Sequence, residues 1–547
     1  MRITALPKEM VMRIGPKVAF AAALTLLLAA CGGSDGDSAG GPGASGGDAE
    51  PVVDGTFTYA VAADPGNLHP HLTVLAATRA VDAYLYDKLV YFTVEGEALP
   101  WLAESWEATP DTVTYTLRDG ITCSDGTPLT ASVVAANFQF VVDEANVSPL
   151  RGVMVPAELT ATADDAARTV TITVPTPDPF LLQSTGDVFI ACQAGLDDPS
   201  LLEEAGIGTG MFELTEVVRD DHYTFQRRDD YAWGPDGRAA ADPGTPATVN
   251  IRVVANESTA ANLLLSGELN AASVVGPDRQ RLEESYEQVT LRAIVGELFF
   301  NQAAGNPGAD DAVRAALAQA LDFEELMSVI TGGYGARSEA LAIIDPVACR
   351  YDAVDGNLPE QDTEAAATAL DEAGWTAGSD GVRAKDGAPL QLELIYNSTR
   401  GDTTAAAAEL IASTWTDLGV AATTRGLPPT EYNEVVFGTG AWGAALLPVN
   451  LRLPSQIVPF LSGPAPADGG VNLASIDNPA YTAAVAEAMT LPGQEGCATW
   501  QEAEEALFAE YDVLPFADET IPTFLDGATV EPGGDGPIPA TIRLTAS

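Results

Sequence analysis

The sequence predicts an α/β fold spread over more than one domain. Three observations lead there. Segments rich in β-branched residues alternate with segments of helical period, the helical segments carry start and stop signals, and 547 residues exceed what one hydrophobic core organises.

In chain order, residues 57–62 read as a strand, followed by a Pro65-Gly66-Asn67 turn and His69-Pro70-His71. Residues 77–89 place apolar side chains at helical spacing. In 112–117, Val113, Tyr115 and Leu117 alternate with polar residues, the period of a half-buried strand. Turns at Arg118-Asp119-Gly120 and Ser124-Asp125-Gly126-Thr127-Pro128 follow. Thr130 is placed to cap a helix whose Val134, Phe138 and Val141 share one side, because its hydroxyl can accept an unpaired first-turn N–H. Residues 169–174 and 248–254 are strands, and a helix over 260–265 stops at Gly267. Asp310 or Asp311 caps a helix with Val313 and Leu317 inward, and Asp362 caps an alanine-rich helix that ends at Gly374. A strand at 390–396, a helix at 404–418 stopped by Gly419, and an amphipathic helix at 499–511 complete the series. No repeat is evident, and no apolar run long enough to span a bilayer occurs after the N-terminus.

Charge excludes whole classes of partner. The chain carries 78 acidic and 26 basic residues, a formal net charge of −52. Nucleic-acid backbones and anionic lipid surfaces both require clustered cations, so neither is expected. Beyond the first turns of the chain, Lys88 and Lys385 are the only lysines.

The N-terminus predicts export. Arg2, Lys8, Arg13 and Lys17 precede an apolar stretch, 18–30, that ends in Leu28-Ala29-Ala30-Cys31. Met12 serves equally well as a start. The segment resembles a bacterial lipobox, which implies cleavage over 1–30 and lipidation of Cys31. Residues 32–50, rich in Gly, Ser, Asp and Ala, form a tether, so 31–53 is read as a lipidated foot and flexible linker. Such a tether has a span of roughly 25 Å. The expected location is the outer face of the cell membrane.

Four cysteines remain, Cys123, Cys192, Cys349 and Cys497, in a chain expected where disulfides persist. They allow three pairings, and none of their spacings resembles a zinc site. Gly438-Thr439-Gly440-Ala441-Trp442-Gly443 fits G-x-G-x-x-G literally, but it comes late and lacks a following helix. No nucleophile elbow, zinc-protease or P-loop signature is present. The chain is therefore not expected to be an enzyme and calls for no cofactor or metal. A secreted hydrolase and a ligand-sensing lipoprotein are the alternatives.

Several motifs point to a family. Tyr86-Asp87-Lys88-Leu89-Val90 is followed by Leu99-Pro100-Trp101-Leu102-Ala103-Glu104-Ser105-Trp106-Glu107, then Thr114-Tyr115-Thr116-Leu117-Arg118-Asp119-Gly120 and Ser124-Asp125-Gly126-Thr127-Pro128. Gly208-Thr209-Gly210-Met211-Phe212, Leu264-Leu265-Ser266-Gly267-Glu268-Leu269, Phe299-Phe300-Asn301 and Leu370-Asp371-Glu372-Ala373-Gly374-Trp375 continue the order. From about residue 56 to 524 the chain resembles the family 5 extracellular solute-binding proteins, the peptide- and nickel-binding components of ABC importers.

The resemblance implies a two-lobe, periplasmic-binding-protein-like α/β fold. Lobe I would comprise 54–90, 206–298 and 503–547, with a subdomain inserted at 91–205, and lobe II would be 299–502. That division places Cys123 with Cys192 and Cys349 with Cys497. It also implies a small-molecule or short-peptide ligand, an ABC permease as partner, and a monomer. In peptide-binding relatives an aromatic residue and an aspartate of lobe II meet the ligand. The matching stretch here holds Trp442, and Asn450 and Arg452 stand near the aspartate's place. An α-amino group buried against Asn450 would lack a counter-charge, whereas Arg452 suits an anionic or neutral polar ligand and Trp442 can pack on a flat one. Asn301, Tyr334, Tyr351 and His69, the last paired with His71, are further ligand-contact candidates.

Overall fold

The computed structural model describes residues 50–546. The leader, Cys31 and most of the tether lie outside the described residues. Among the described residues no helix is long and apolar enough to cross a membrane.

One sheet runs through both lobes. In lobe I, Thr56–Val61 pairs in parallel with Thr248–Val253 and with Ala271–Ser273, and the hairpin Phe212–Val218 and His222–Arg227 extends it at one edge. In lobe II, Gln391–Asn397 pairs in parallel with Ala421–Leu427 and with Ala444–Leu446. Two long antiparallel strands join the halves, Glu287–Phe300 and Val513–Leu525. They register from Glu287 opposite Leu525 to Phe299 opposite Val513, with irregularities around Ile294, Gly296 and Glu297. A bulge there breaks the ladder locally and bends the ribbon.

The two crossover strands feed two cores at once, because successive side chains of a strand point to opposite faces. Phe299, Ala445 and Val513 join Trp442, Trp500 and Tyr481 on one face of the lobe II sheet. Their neighbours Phe300, Ala444 and Leu514 join Trp415, Leu317 and Ile411 on the other. Helices Asp311–Gln319 and Asp402–Asp417 cover the second face, and Pro479–Ala488 and Cys497–Ala509 the first.

Residues 103–173 build a separate four-stranded antiparallel sheet in the order Ala103–Ala108, Thr112–Leu117, Thr169–Thr173 and Thr160–Asp164. Ala131–Val142 packs on it, and Thr130 caps that helix by accepting the Val133 N–H at 3.3 Å. The core beneath is continuous with that of the lobe I sheet, from Phe57 and Tyr223 through Val113 and Phe138. The disulfide Cys123–Cys192 lies in this part of the molecule, with Cα atoms 6.1 Å apart. Cys349–Cys497 lies in lobe II, with Cα atoms 5.3 Å apart.

Most of the periodic segments form where their pattern indicates, and one boundary moves. The helix expected over 77–89 is Ala76–Leu85, because the chain turns extended at Tyr86 and Asp87–Lys88 pairs with Phe189–Ile190. Gly210 runs against the end of that helix. A Cβ there would lie 2.5 Å from the Tyr84 carbonyl oxygen, so the glycine of this motif permits close backbone approach.

Candidate functional site

Between the lobes the crossover ribbon is uncovered. Along Val513–Leu525 both ends are buried, while residues 519–521 are only half-buried. Above Glu519 and Ile521 lies a cleft of about 770 Å³. Lobe I lines it with Tyr59, Ala60 and Val61 from the end of its first strand, with Ala77 and Ala80 one helical turn apart, and with Ser273 and Val275. Pro149, Val153 and Met154 close one side, Ile344, Asn450, Leu451, Arg452 and Gln456 come from lobe II, and Gly534–Gly536 enter from a C-terminal hairpin. Small side chains along the helix face leave the volume open; the walls are mainly apolar.

The polar end of the cleft is formed by Arg79, Arg452 and Asp535, the cleft-facing side of an ion cluster assembled from five separate chain segments. Asp535 accepts from Arg79 with both oxygens, at 2.7 and 3.1 Å, and from Lys88 Nζ at 2.7 Å. Lys88 Nζ also donates to Asp187 at 2.6 Å. Arg452 pairs with Asp187 and reaches Asp535 at 3.5 Å. Asp535 is 8% exposed and Arg452 18%. Burial alone would raise the Asp535 carboxyl, but Arg79, Lys88 and Arg452 outweigh it and hold it well below the ordinary range. Arg79 and Lys88 both lie over the Phe189 ring, at 4.7 and 4.9 Å from its centre. Beneath them, Asp82 is buried with neither oxygen partnered, and burial raises its carboxyl well above the usual range. Glu519 on the cleft floor is also raised by burial, against the pull of Arg400 and Arg279.

The structure separates the residues singled out from the sequence. Arg452 and Asn450 line the cleft. The Asn450 amide, however, is occupied by the crossover strand. It accepts the Ile294 N–H at 2.8 Å and donates to the Ile294 carbonyl at 3.0 Å, pinning the ribbon at its bulge. Trp442 is not in the cleft: it is 3% exposed in the lobe II core, where a large flat side chain fills the space beneath Ala444–Leu446. Asn301 is buried and ties backbone together, donating to the Gly440 and Trp442 carbonyls at 3.1 and 3.0 Å. Tyr334 lies beneath the Arg279 guanidinium, 4.6 Å from ring centre to carbon. Tyr351 donates to Glu504 at 2.8 Å and borders a separate cavity of about 190 Å³ with Arg292, Glu339 and Arg350.

His69 and His71 are both buried against Phe140. Burial pushes them down to about 4 and about 3, so both are neutral at physiological pH. The Asn137 amide nitrogen already donates to two carbonyls, so its oxygen accepts from His71 Nε2 at 2.7 Å. Both rings pack in the core and neither lines the cleft. Among the described residues no group of three or more His, Cys, Asp or Glu could hold a metal ion.

Sequence reasoning passed over Arg79, Asp187 and Asp535, which lie far apart in the chain. It quoted Lys88 only as part of a motif. The rarity of lysine was the one signal available, since one of two lysines beyond the leader is buried in the cluster.

Residues 97–450 match the family described as bacterial extracellular solute-binding proteins, family 5 middle. Protein XP55 of Streptomyces lividans is 30% identical over 367 residues, covering 64% of this chain and 62% of that one. The nickel-binding periplasmic protein of Escherichia coli K12 is 28% identical over 364 residues, 63% of this chain and 66% of that one. The chain thus spans less than two thirds of either curated relative. Among solved structures, a substrate-binding protein from Microbacterium hydrocarbonoxydans, complexed with 4-hydroxybenzoate hydrazide, superposes with a TM-score of 0.67 at 25% identity. It covers 90% of this chain and 100% of its own.

Proposed function

The chain belongs to family 5 of the bacterial extracellular solute-binding proteins, and from that premise we propose that it is the solute-binding component of an ABC importer. It captures a small solute between its two lobes and delivers it, chemically unchanged, to a membrane permease. The observation that carries this reading is the cleft of about 770 Å³ whose walls come from both lobes across an uncovered two-strand ribbon. That volume lies within the usual range for small-molecule sites. Two crossover strands with a bulge between them can absorb a rotation of one lobe against the other. A solute touching both walls stabilises the closed form by its differential affinity for closed over open.

In this reading, 54–90, 206–298 and 503–547 make lobe I, 91–205 its inserted subdomain and 299–502 lobe II. The protein works as a monomer outside the cytoplasm, held to the membrane by a lipid on Cys31, and has no catalytic role. Arg452 is its ligand-contacting residue from lobe II. Asn450 shapes the wall without offering a free amide.

The test is native mass spectrometry of the protein purified from its own host. The expected result is a bound small molecule that is released intact on denaturation and rebinds. Conversion of the released molecule on re-addition, or a protein that never carries or takes up a solute, overturns the proposal.

A further inference from the structure

We propose that the cleft accepts an organic carboxylate with a mainly apolar body, and that the hairpin residue Asp535 is an internal stand-in for that carboxylate. This deepens the solute-binding reading and rests on it.

The first argument is the charge count. Arg79, Lys88 and Arg452 contact one another's partners, and among the described residues only Asp187 and Asp535 pair with them. Three cations against two carboxylates leave one positive charge at the wall of a cleft, in a chain whose net charge is −52. That excess positive charge favours an incoming anion, and does so equally when the anion takes the place of Asp535. The one further carboxyl beneath Arg79 is Asp82, whose oxygens are unpartnered and whose burial disfavours ionisation.

The second argument is how Asp535 is delivered. It stands at the tip of a hairpin held by two residue pairs, Pro532 with Pro537 and Gly533 with Gly536. Its two oxygens take the Arg79 guanidinium side by side while one also receives Lys88, the geometry in which arginine recognises any carboxylate. Gly534 lets the Arg452 guanidinium lie directly on the hairpin, since a Cβ there would collide with it and sit 2.9 Å from the Asp345 carbonyl oxygen. So short a hairpin can withdraw without disturbing the sheet, and Asp535 regains hydration as it leaves. A solute carboxylate then inherits Arg79, Lys88 and Arg452.

The third argument is the remainder of the wall. Ala60, Ala77, Ala80, Val153, Val275 and Ile521 offer apolar contact and no hydrogen bonds from their side chains. The two other cleft carboxylates do not form a counterpart to the cation cluster: Glu257 accepts the Gly276 N–H at 3.0 Å, and burial raises Glu519. The site is therefore polar at one end.

Calorimetric titration of the purified protein with octanoate and phenylacetate, against octanamide, phenylacetamide and octyl phosphate, tests this. The acids are expected to bind more tightly than their amides by about tenfold or more, the worth of a charged hydrogen bond. Arg452→Gln should weaken acid binding about tenfold, and Asp535→Asn should strengthen it by removing the internal competitor. Should Asp535→Asn fail to fold, Asp535→Ser, which shortens the internal competitor and removes its charge, is expected to strengthen binding likewise. Amides that bind as well as acids, a preference for octyl phosphate, or weakened acid binding in the hairpin variants overturns the proposal. If none of these probes binds, the co-purifying molecule decides. A carboxylate supports the seat; a neutral or cationic molecule overturns it and leaves the solute-binding reading standing; a protein that carries and binds nothing overturns both.

Discussion

Two buried groups of charge, one at the cleft and one around the crossover ribbon, behave in opposite ways. At the cleft, Asp535 is held ionised because three cations converge on it and its neighbour Asp187. Behind the ribbon, Glu297, Glu504 and Asp518 are buried to a similar degree but have few cations. Burial pushes Glu297 well above the ordinary range, Glu504 up to about 7 and Asp518 up to about 6. These carboxyls serve as hydrogen-bond hubs. Glu297 accepts the Val449 N–H at 2.6 Å, Glu504 accepts the Leu341 N–H at 2.9 Å, and Asp518 accepts from Ser338 and Arg292. The difference shows that burial alone does not determine a carboxylate's role. Converging cations keep a carboxylate charged at the cleft, whereas their scarcity leaves Glu297, Glu504 and Asp518 as hydrogen-bonded structural groups.

The sharpest way to break the contrast is Arg79→Met. It removes the bidentate partner of Asp535 and breaks a buried ion pair with both of its charged hydrogen bonds, so urea unfolding should show a loss of about 3–5 kcal/mol. A loss below 1 kcal/mol would mean that Asp535 does not depend on the cluster for its charge. Next in size is Glu504→Gln. The folded protein retains a proton on Glu504 that the unfolded chain loses near pH 4.5. Its contribution is complete below that pH and is lost as pH rises through about 7. The parent should therefore lose about 3 kcal/mol across that window from this group, and the Gln variant should not. Unfolding curves at pH 4 and pH 8 check both sign and size, and an identical pH slope in the two proteins contradicts the assignment. Smallest is Tyr351→Phe, which removes the hydroxyl that stabilises ionised Glu504. It should cost about 1 kcal/mol and move the midpoint of that pH dependence upward. A downward shift would reverse the role given to the tyrosine.

Local pattern was a reliable guide where an element carries its own signal. Thr130, Asp310 and Asp362 each cap the helix assigned to them, accepting N–H groups of the first turn. The alternating strand at 112–117 forms as its period indicates. The crossover strands were missed. Glu287–Phe300 is exposed or half-buried in its first half and wholly buried in its second, so no single period runs through it. Val513–Leu525 is buried at both ends and opens in the middle, a pattern that reflects the cleft rather than the strand.

The same division runs through the site. Of the residues singled out from the sequence, Arg452 lines the cleft while Trp442, Asn301 and His69 are buried away from it; an aromatic, an amide or an imidazole reads alike whether it faces a cleft or a core. Residue order alone determined the interleaved α/β architecture, the caps and the acidic character, because each depends on neighbours within a few positions or on composition. Tertiary structure alone decided which charges meet. Arg79, Lys88, Asp187, Arg452 and Asp535 span more than 450 residues of chain, and electrostatic interaction depends on distance in space, which no local period encodes.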